Sequence, residues 1–341
     1  MLCSLPERDT LSFAMAIFDE LRRHHDMSAD DMPSVTVIGG ANIDVFGRSL
    51  ESLRDRDSNP GKVHSSPGGV ARNVAENLAR LDVDCRLITA IGDDQNGEML
   101  LAQGSAAGID MQGVQRIEHL PTSSYLSILD STGDMHAAIA DMRIMDELSA
   151  DRLAPQRSII EKSSLIIIDA NLPDDSLAWL TKTFSEHTIF ADTVSTTKAP
   201  RLQPYLNAIH TLKTGTIEAE ALTGLEAQND GQVQKLAEWI HSHGVARLYV
   251  TRGDHGVFYS TDRTRAIMAP HQNIPEIGNT TGAGDAFLAG IAFSWLQQWS
   301  MEQSVDFALA VAHITVQSHT TCSPALSLAA IDQVLAKQSA G

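Results

Sequence analysis

Six consecutive residues, Thr280-Thr281-Gly282-Ala283-Gly284-Asp285, have the composition of a phosphate-binding helix start. They run straight into Phe287, Ile291, Phe293 and Leu296, an apolar pattern that predicts a helix over residues 283–297. The first turn of a helix leaves its amide N–H groups unpaired and carries the positive end of the dipole, so it attracts anions. Gly282 and Gly284 lack the β-carbons that would hold a phosphate away from those amides. Thr281 is placed to cap the helix, and Asp285 to orient or deprotonate an attacking hydroxyl. So near to unpaired amides, Asp285 should have a low pKa and be a weak base. Phosphoryl transfer tolerates that, because positioning and charge stabilisation do most of the work. Read alone, the run is also what a capped helix start without a ligand looks like.

Four further stretches carry polar groups in places where a parallel sheet binds ligands. Gly39-Gly40-Ala41-Asn42-Ile43-Asp44 follows a predicted strand, and Asn42 and Asp44 alternate with Ile43, so their side chains point the same way. That pair suits sugar hydroxyls, or an Asx turn closing the strand. Past Gly68 and Gly69, the residues Val70, Val74, Leu78 and Leu81 form one helical stripe with Asn73 at its edge. A half-buried amide needs partners, which a polyol or the backbone of a neighbouring strand can supply. Lys213-Thr214-Gly215-Thr216-Ile217-Glu218-Ala219-Glu220 follows a strand and opens a helix. Its acids can hold a magnesium ion through water, or simply favour the helix dipole. Thr251-Arg252-Gly253-Asp254-His255-Gly256-Val257 joins two strands by a turn that can pass under a nucleotide or be a plain hairpin. The histidines, including His241 and His243, show no metal-ligand spacing.

The elements that must position these groups alternate between short β-branched runs and longer helical patterns, as in a parallel sheet covered by helices. Strands are predicted at residues 35–38, 85–88, 165–168, 188–190, 208–211 and 247–250, and helices at 69–81, 97–108, 174–185, 232–243, 283–297 and 304–318. Two stretches break the rhythm: a polar, turn-rich segment at 48–66 and alternating strands at 113–140, which read as a small β lid or as ordinary surface hairpins. With 43 acidic and 25 basic residues the formal charge is −18, which argues against nucleic-acid binding. Three scattered cysteines, Cys3, Cys85 and Cys322, form neither a disulfide framework nor a metal site and fit a reducing, cytoplasmic compartment. The apolar run at 11–18 is too short to span a membrane and follows acids rather than a basic region, so neither export nor membrane association is expected.

Taken together and in this order, the motifs resemble the ribokinase-type (PfkB) carbohydrate kinase family from about Val35 to about Leu335. The resemblance implies an α/β, ribokinase-like fold: a central, mostly parallel sheet flanked by helices, with a small β-strand lid. Residues 1–32 would be an appendage without an assigned role, and residues 33–341 the kinase domain, with lid strands at about 46–66 and 113–141. The segments Asp57-Ser58-Asn59-Pro60-Gly61-Lys62, Pro67 to Asn73, Thr122 to Ser127 and Ile139 to Met142 narrow the resemblance to the pseudouridine kinase branch. That branch transfers the ATP γ-phosphate to the 5′-hydroxyl of pseudouridine, and its product feeds a glycosidase that cleaves the C–C glycosidic bond.

Carried over residue by residue, the resemblance makes Asp285 the catalytic base and Gly282, Ala283 and Gly284 the anion hole. Asn42, Asp44, Gly68, Gly69 and Asn73 would hold the ribose, and Ser124, Tyr125, Asp141 and Asn171 the nucleobase side. Thr251, Gly253, Gly256 and Thr281 would border ATP, and Glu218 would hold magnesium through water. One departure stands out: the family's Asn-x-x-Glu appears here as Gly215-x-x-Glu218, which puts full activity in question. Asn279 stands where some relatives carry an acid for a monovalent cation, so potassium activation is not carried over. Another nucleoside or ribose kinase, or a nucleoside-binding sensor with weakened catalysis, would share this core. A lid with an exposed edge also implies a homodimer.

Overall fold

The computed structural model describes residues 33–264, 267–269 and 280–339; the expectations for residues 1–32 and for Asn279 lie outside the described residues. In chain order its strands are β1 (Ser34–Ile38), β2 (Asn42–Ser49), β3 (Gly61–Gly68), β4 (Asp84–Ile88), β5 (Ala90–Gly92), β6 (Gln115–Ile117), β7 (Ser124–Leu129) and β8 (Met135–Asp141). They continue as β9 (Leu165–Asp169), β10 (Ile189–Asp192), β11 (Thr211–Gly215), β12 (Arg247–Thr251), β13 (Val257–Thr261) and β14 (Ile267–Ala269). The longer helices are α1 (Val70–Arg80), α2 (Gln95–Ala106), α3 (Asp174–Thr183), α4 (Thr216–Thr223), α5 (Asp230–Ser242), α6 (Ala283–Leu296), α7 (Met301–Val316) and α8 (Leu328–Ser339).

Eight strands form the main sheet in the order β14-β13-β12-β11-β10-β9-β1-β4. Pairing is parallel from β4 to β12 and antiparallel for β13 and β14. The sequence explains why both faces are covered. β9 reads Leu-Ile-Ile-Ile-Asp and is buried at every position, as a strand enclosed by helices on both sides must be. With side chains alternating along each strand, Val35, Val37, Leu165 and Ile167 turn to one core and Ile38, Ile166 and Ile168 to the other. The first core contains α1, α6 and α7, and the second α3 and α5. Helix α6 is buried from Asp285 to Ser294 because it packs against α1 and α7 as well as the sheet.

A second sheet, in the order β3-β2-β7-β8, stands beside the first. Its strands overlap the segments 46–66 and 113–141 but begin at Asn42 and run on to Gly68, and β6, within 113–123, pairs with β5 in a separate two-stranded sheet and does not join the four. Another correction concerns the strand expected at 208–211. Residues Ala199–Ala208 wind as a 3-10 segment containing Pro200 and Pro204, and sheet pairing starts only at Thr211. Helix α8 was not anticipated. Among the described residues no helix is long and apolar enough to cross a membrane, and Cys85 and Cys322 are both free and buried.

Candidate active site

The carboxyl ends of β1, β9, β10 and β11, the start of α1 and the start of α6 bring most of the predicted residues together. Helix α6 is capped by Gly282, not by Thr281 as expected, and no side chain makes the cap bond. The reason is tertiary. Gly282 has φ +88°, and a β-carbon on it would collide with the carbonyl oxygen of Thr321, in the segment after α7. Glycine is therefore required by both backbone angle and space, and no cap side chain covers the first-turn amides.

One turn in, the Asp285 carboxylate is almost fully buried and accepts a hydrogen bond from Asn73 Nδ2 at 2.8 Å. Asn73 Oδ1 accepts from Arg72 Nη1 at 3.0 Å and lies 3.2 Å from the Thr321 hydroxyl, which fixes the amide's orientation. The partner of Asn73 is thus neither of those considered from sequence. The expected low pKa of Asp285 is also overturned. Burial, reinforced by the charge of Asp192, pushes it up to about 7, against the opposing pull of Lys213 and Asn73.

Sequence reading passed over Lys213 and Asp192, which prove central. They are adjacent in register on β11 and β10, and Lys213 Nζ donates to Asp192 Oδ2 at 2.9 Å. A β-carbon built on Gly284 would stand 2.6 Å from Nζ, so the ammonium rests against the first turn of α6. Burial works against its charge, but Asp192, Asp285 and Glu218 outweigh burial and hold its pKa above the ordinary value. The signal was present in the quoted motif, which begins with Lys213 at a strand end. Its burial, 8 % exposed, was not. Glu218, in the first turn of α4, folds its carboxylate over Gly215 into the space that a side chain there would take.

On the opposite side, Asn42 Nδ2 donates to Asp44 Oδ1 at 2.6 Å, both residues being buried. Burial raises Asp44 to about 6, although Asn42 and Arg72 pull it down. Gly68 lies opposite Asn42 across the β2–β3 ladder and lets the Asp44 carboxylate press close. Gly69 caps α1 at φ +97°, where a β-carbon would come within 2.5 Å of the Gly40 carbonyl oxygen. Beneath them lies Asp169, also absent from the sequence reading, whose carboxylate accepts from the amides of Gly40 (2.8 Å), Ala71 (3.1 Å) and Asn171 (2.8 Å). It ties the two glycine turns together. Asn171 is buried beside Gly40, and its side-chain Oδ1 accepts from Lys198 Nζ.

Not every candidate converges. Tyr125 is in register with Asp44, whereas Ser124 and Asp141 are in register with Ile43 and therefore stand on the other face of the second sheet. Asp141 is also held by Arg143 at 2.7 and 2.9 Å.

A cavity of about 260 Å³ opens on the far side of the α6 start. Thr251, Gly253 and Gly256 border it, and Thr280, Ala283 and Gly284 form its inner edge; Thr281 is not among its lining residues. Apart from Asp254 and His313, its other walls, Val257, Phe287, Leu309, Ala312 and Val316, are apolar, which suits a planar base. No cluster of three or more His, Cys, Asp or Glu residues fit to hold a metal occurs among the described residues. Glu218 offers a single carboxylate at the start of α4, and magnesium usually keeps its waters and is held by one or two carboxylates plus substrate phosphates.

Comparison with known proteins places this geometry in context. The family model described as pfkB family carbohydrate kinase matches residues 32–328. The chain is 40% identical over 296 residues to the pseudouridine kinase of Escherichia coli, covering 86% of this chain and 94% of that protein. Among solved structures, a carbohydrate kinase from Agrobacterium tumefaciens has 30% identity and a TM-score of 0.78 over 89% of this chain and 97% of that one. Arabidopsis thaliana ribokinase complexed with ribose and ATP shares the fold, with a TM-score of 0.78 at 21% identity over 89% of this chain and 99% of that one.

Proposed function

The chain belongs to the pfkB family of carbohydrate kinases, phosphotransferases with an alcohol group as acceptor, and from that premise we propose that it phosphorylates the 5′-hydroxyl of pseudouridine with ATP and magnesium. The observation that carries the acceptor is the 40% identity to a pseudouridine kinase across nearly the whole of both chains. Adenine would occupy the cavity beside Thr251, Gly253 and Gly256, with Thr281 beyond its edge, and the phosphates would run along the Gly282–Gly284 amides towards Asp285. Ribose would be held by Asn42 and Asp44, where Gly68 and Gly69 allow close approach, and the base would face Tyr125 and Asn171.

Asp285 takes the proton of the attacking hydroxyl as the new P–O bond forms and the bond to the β-phosphate oxygen breaks, releasing ADP. A carboxyl titrating near 7 is a stronger base than the sequence implied. Asn73 is then less a ribose ligand than the group that orients Asp285. Magnesium, held through water by Glu218, would offset phosphate charge. The sheet β3-β2-β7-β8 acts as a lid on the domain formed by residues 33–341. Its exposed row of Leu126, Ile128 and Ile139 is where a second copy would pair, giving a homodimer whose mass sedimentation would report.

A coupled ADP-release assay with pseudouridine, uridine, inosine, ribose and fructose tests the acceptor. Preferred turnover of pseudouridine is expected, and turnover confined to free sugars would refute the nucleoside assignment. Gly215 favours one second reading, a nucleoside-binding protein with weakened catalysis. Calorimetric binding of pseudouridine without phosphorylation at high protein concentration would establish it instead.

A further inference from the structure

Lysine is seldom buried unless its charge is paired. Lys213 is 8 % exposed, and its Nζ gives one proton to Asp192 at 2.9 Å. Two protons remain for another acceptor. The ammonium stands on the face of the sheet that helix α6 covers. It rests against Gly284, in the first turn of the helix whose amides face the nucleotide cavity, and it feels Asp285 and Glu218 as well as Asp192.

Its place is also set by strand periodicity. Residues two apart on a strand share a face, so Lys213 lies on the same face of β11 as Gly215. Gly215 is where the family pattern has an asparagine, and here that space holds the Glu218 carboxylate. The wall beside the α6 start therefore lacks a neutral amide and has a fixed cation one side-chain length away.

We infer that Lys213 is a second catalytic residue, whose ammonium contacts the γ-phosphoryl oxygens during transfer and supplies a side-chain donor beside the Gly215 site, which has none of its own. This rests on the phosphotransfer reading above. The group passes between the Gly282–Gly284 amides on one side and Lys213 on the other; Lys213 keeps its proton throughout, and the hydroxyl proton goes to Asp285. Charge placed in advance beside a transferring phosphoryl group, in a site shielded from water, is among the larger contributions to catalysis. Asp192 is the positioning residue that aims the ammonium.

The test uses the full chain and its Lys213→Met, Lys213→Gln and Lys213→Arg variants. ADP and ATP binding are measured by calorimetry with magnesium and no acceptor, and kcat is measured with both substrates saturating. Lys213→Met and Lys213→Gln should bind ADP within about twofold of the native chain, lose the preference for ATP, and drop in kcat by about a hundredfold or more. Lys213→Arg should recover at least about tenfold of that loss, because it restores the charge. Glutamine can still donate to Asp192, so it keeps the test alive if the methionine variant fails to fold.

A folded neutral variant with native ATP-to-ADP preference and kcat within threefold would overturn the inference. So would equal impairment of the arginine and glutamine variants. The nucleotide arm requires no acceptor, so a wrong choice of nucleoside would not be mistaken for a failure of Lys213. A native chain that binds neither nucleotide would remove the phosphotransfer reading and this inference with it.

Discussion

Replacing Asp285 by asparagine should make the protein more stable at neutral and alkaline pH while abolishing turnover. The carboxyl titrates at about 7 in the folded chain and at its ordinary value of 3.8 in the unfolded one. Below pH 3.8 both states are protonated and the group contributes nothing. Between 3.8 and 7 the unfolded state releases the proton and the folded state keeps it, so stability falls as pH rises; above 7 the full cost is present. The rise from 3.8 to about 7 corresponds to about 4 kcal/mol at pH 8 and to under about half of that at pH 5. For a chain of 341 residues, with an unfolding entropy near 2.1 cal/mol/K per residue, this is about 6 °C in Tm at pH 8 and about 2 °C at pH 5. Asparagine can still accept from Asn73 Nδ2, so the 2.8 Å contact need not be lost. Differential scanning calorimetry of both proteins from pH 5 to 8 reads the difference directly. An asparagine variant that is less stable than the native chain at pH 8, or a difference that does not shrink towards pH 5, would refute the claim that Asp285 is a desolvated base held ready at a cost in stability.

The rate profile should follow the same group: kcat/KM against pH is expected to show an acid limb near 7, falling as Asp285 is protonated, and a limb near 4 would mean the carboxylate is far better solvated than it is here. Gly284→Ala should push Lys213 Nζ aside, since its β-carbon would come within 2.6 Å, and block the phosphate amides. Steady-state assays should show at least about a tenfold loss in kcat with little change in Tm, because the far end of a lysine can move. Gly215→Asn must displace the Glu218 carboxylate and adds an amide beside the phosphates. It should lower the magnesium concentration needed for half-maximal rate, by up to about tenfold; an unchanged magnesium curve would mean that the glycine is already compensated.

Much of this protein is written locally. The β-branched runs, buried on both faces, and the amphipathic stripe of Val70, Val74, Leu78 and Leu81 specify strand and helix through period alone. The order of the glycine turns, with Asn42 and Asp44 early and Gly282 to Asp285 late, carried the resemblance to a family of phosphotransferases. These are short-range signals, because backbone angles and side-chain alternation depend on near neighbours.

Four features were decided only by the folded chain. The Asn73–Asp285 bond joins positions 212 residues apart, and no spacing announces it. Gly282 rather than Thr281 became the cap because the Thr321 carbonyl, from another segment, fills the space beside it. Asp285 was expected to be acidic from the amides next to it in sequence, yet its pKa rises, because desolvation depends on everything packed around a group and not on its neighbours along the chain. Lys213 is the same case in reverse. Its letter was visible beside Gly215, but its role depends on a burial and an approach to Gly284 that only the packing of β11 against α6 creates.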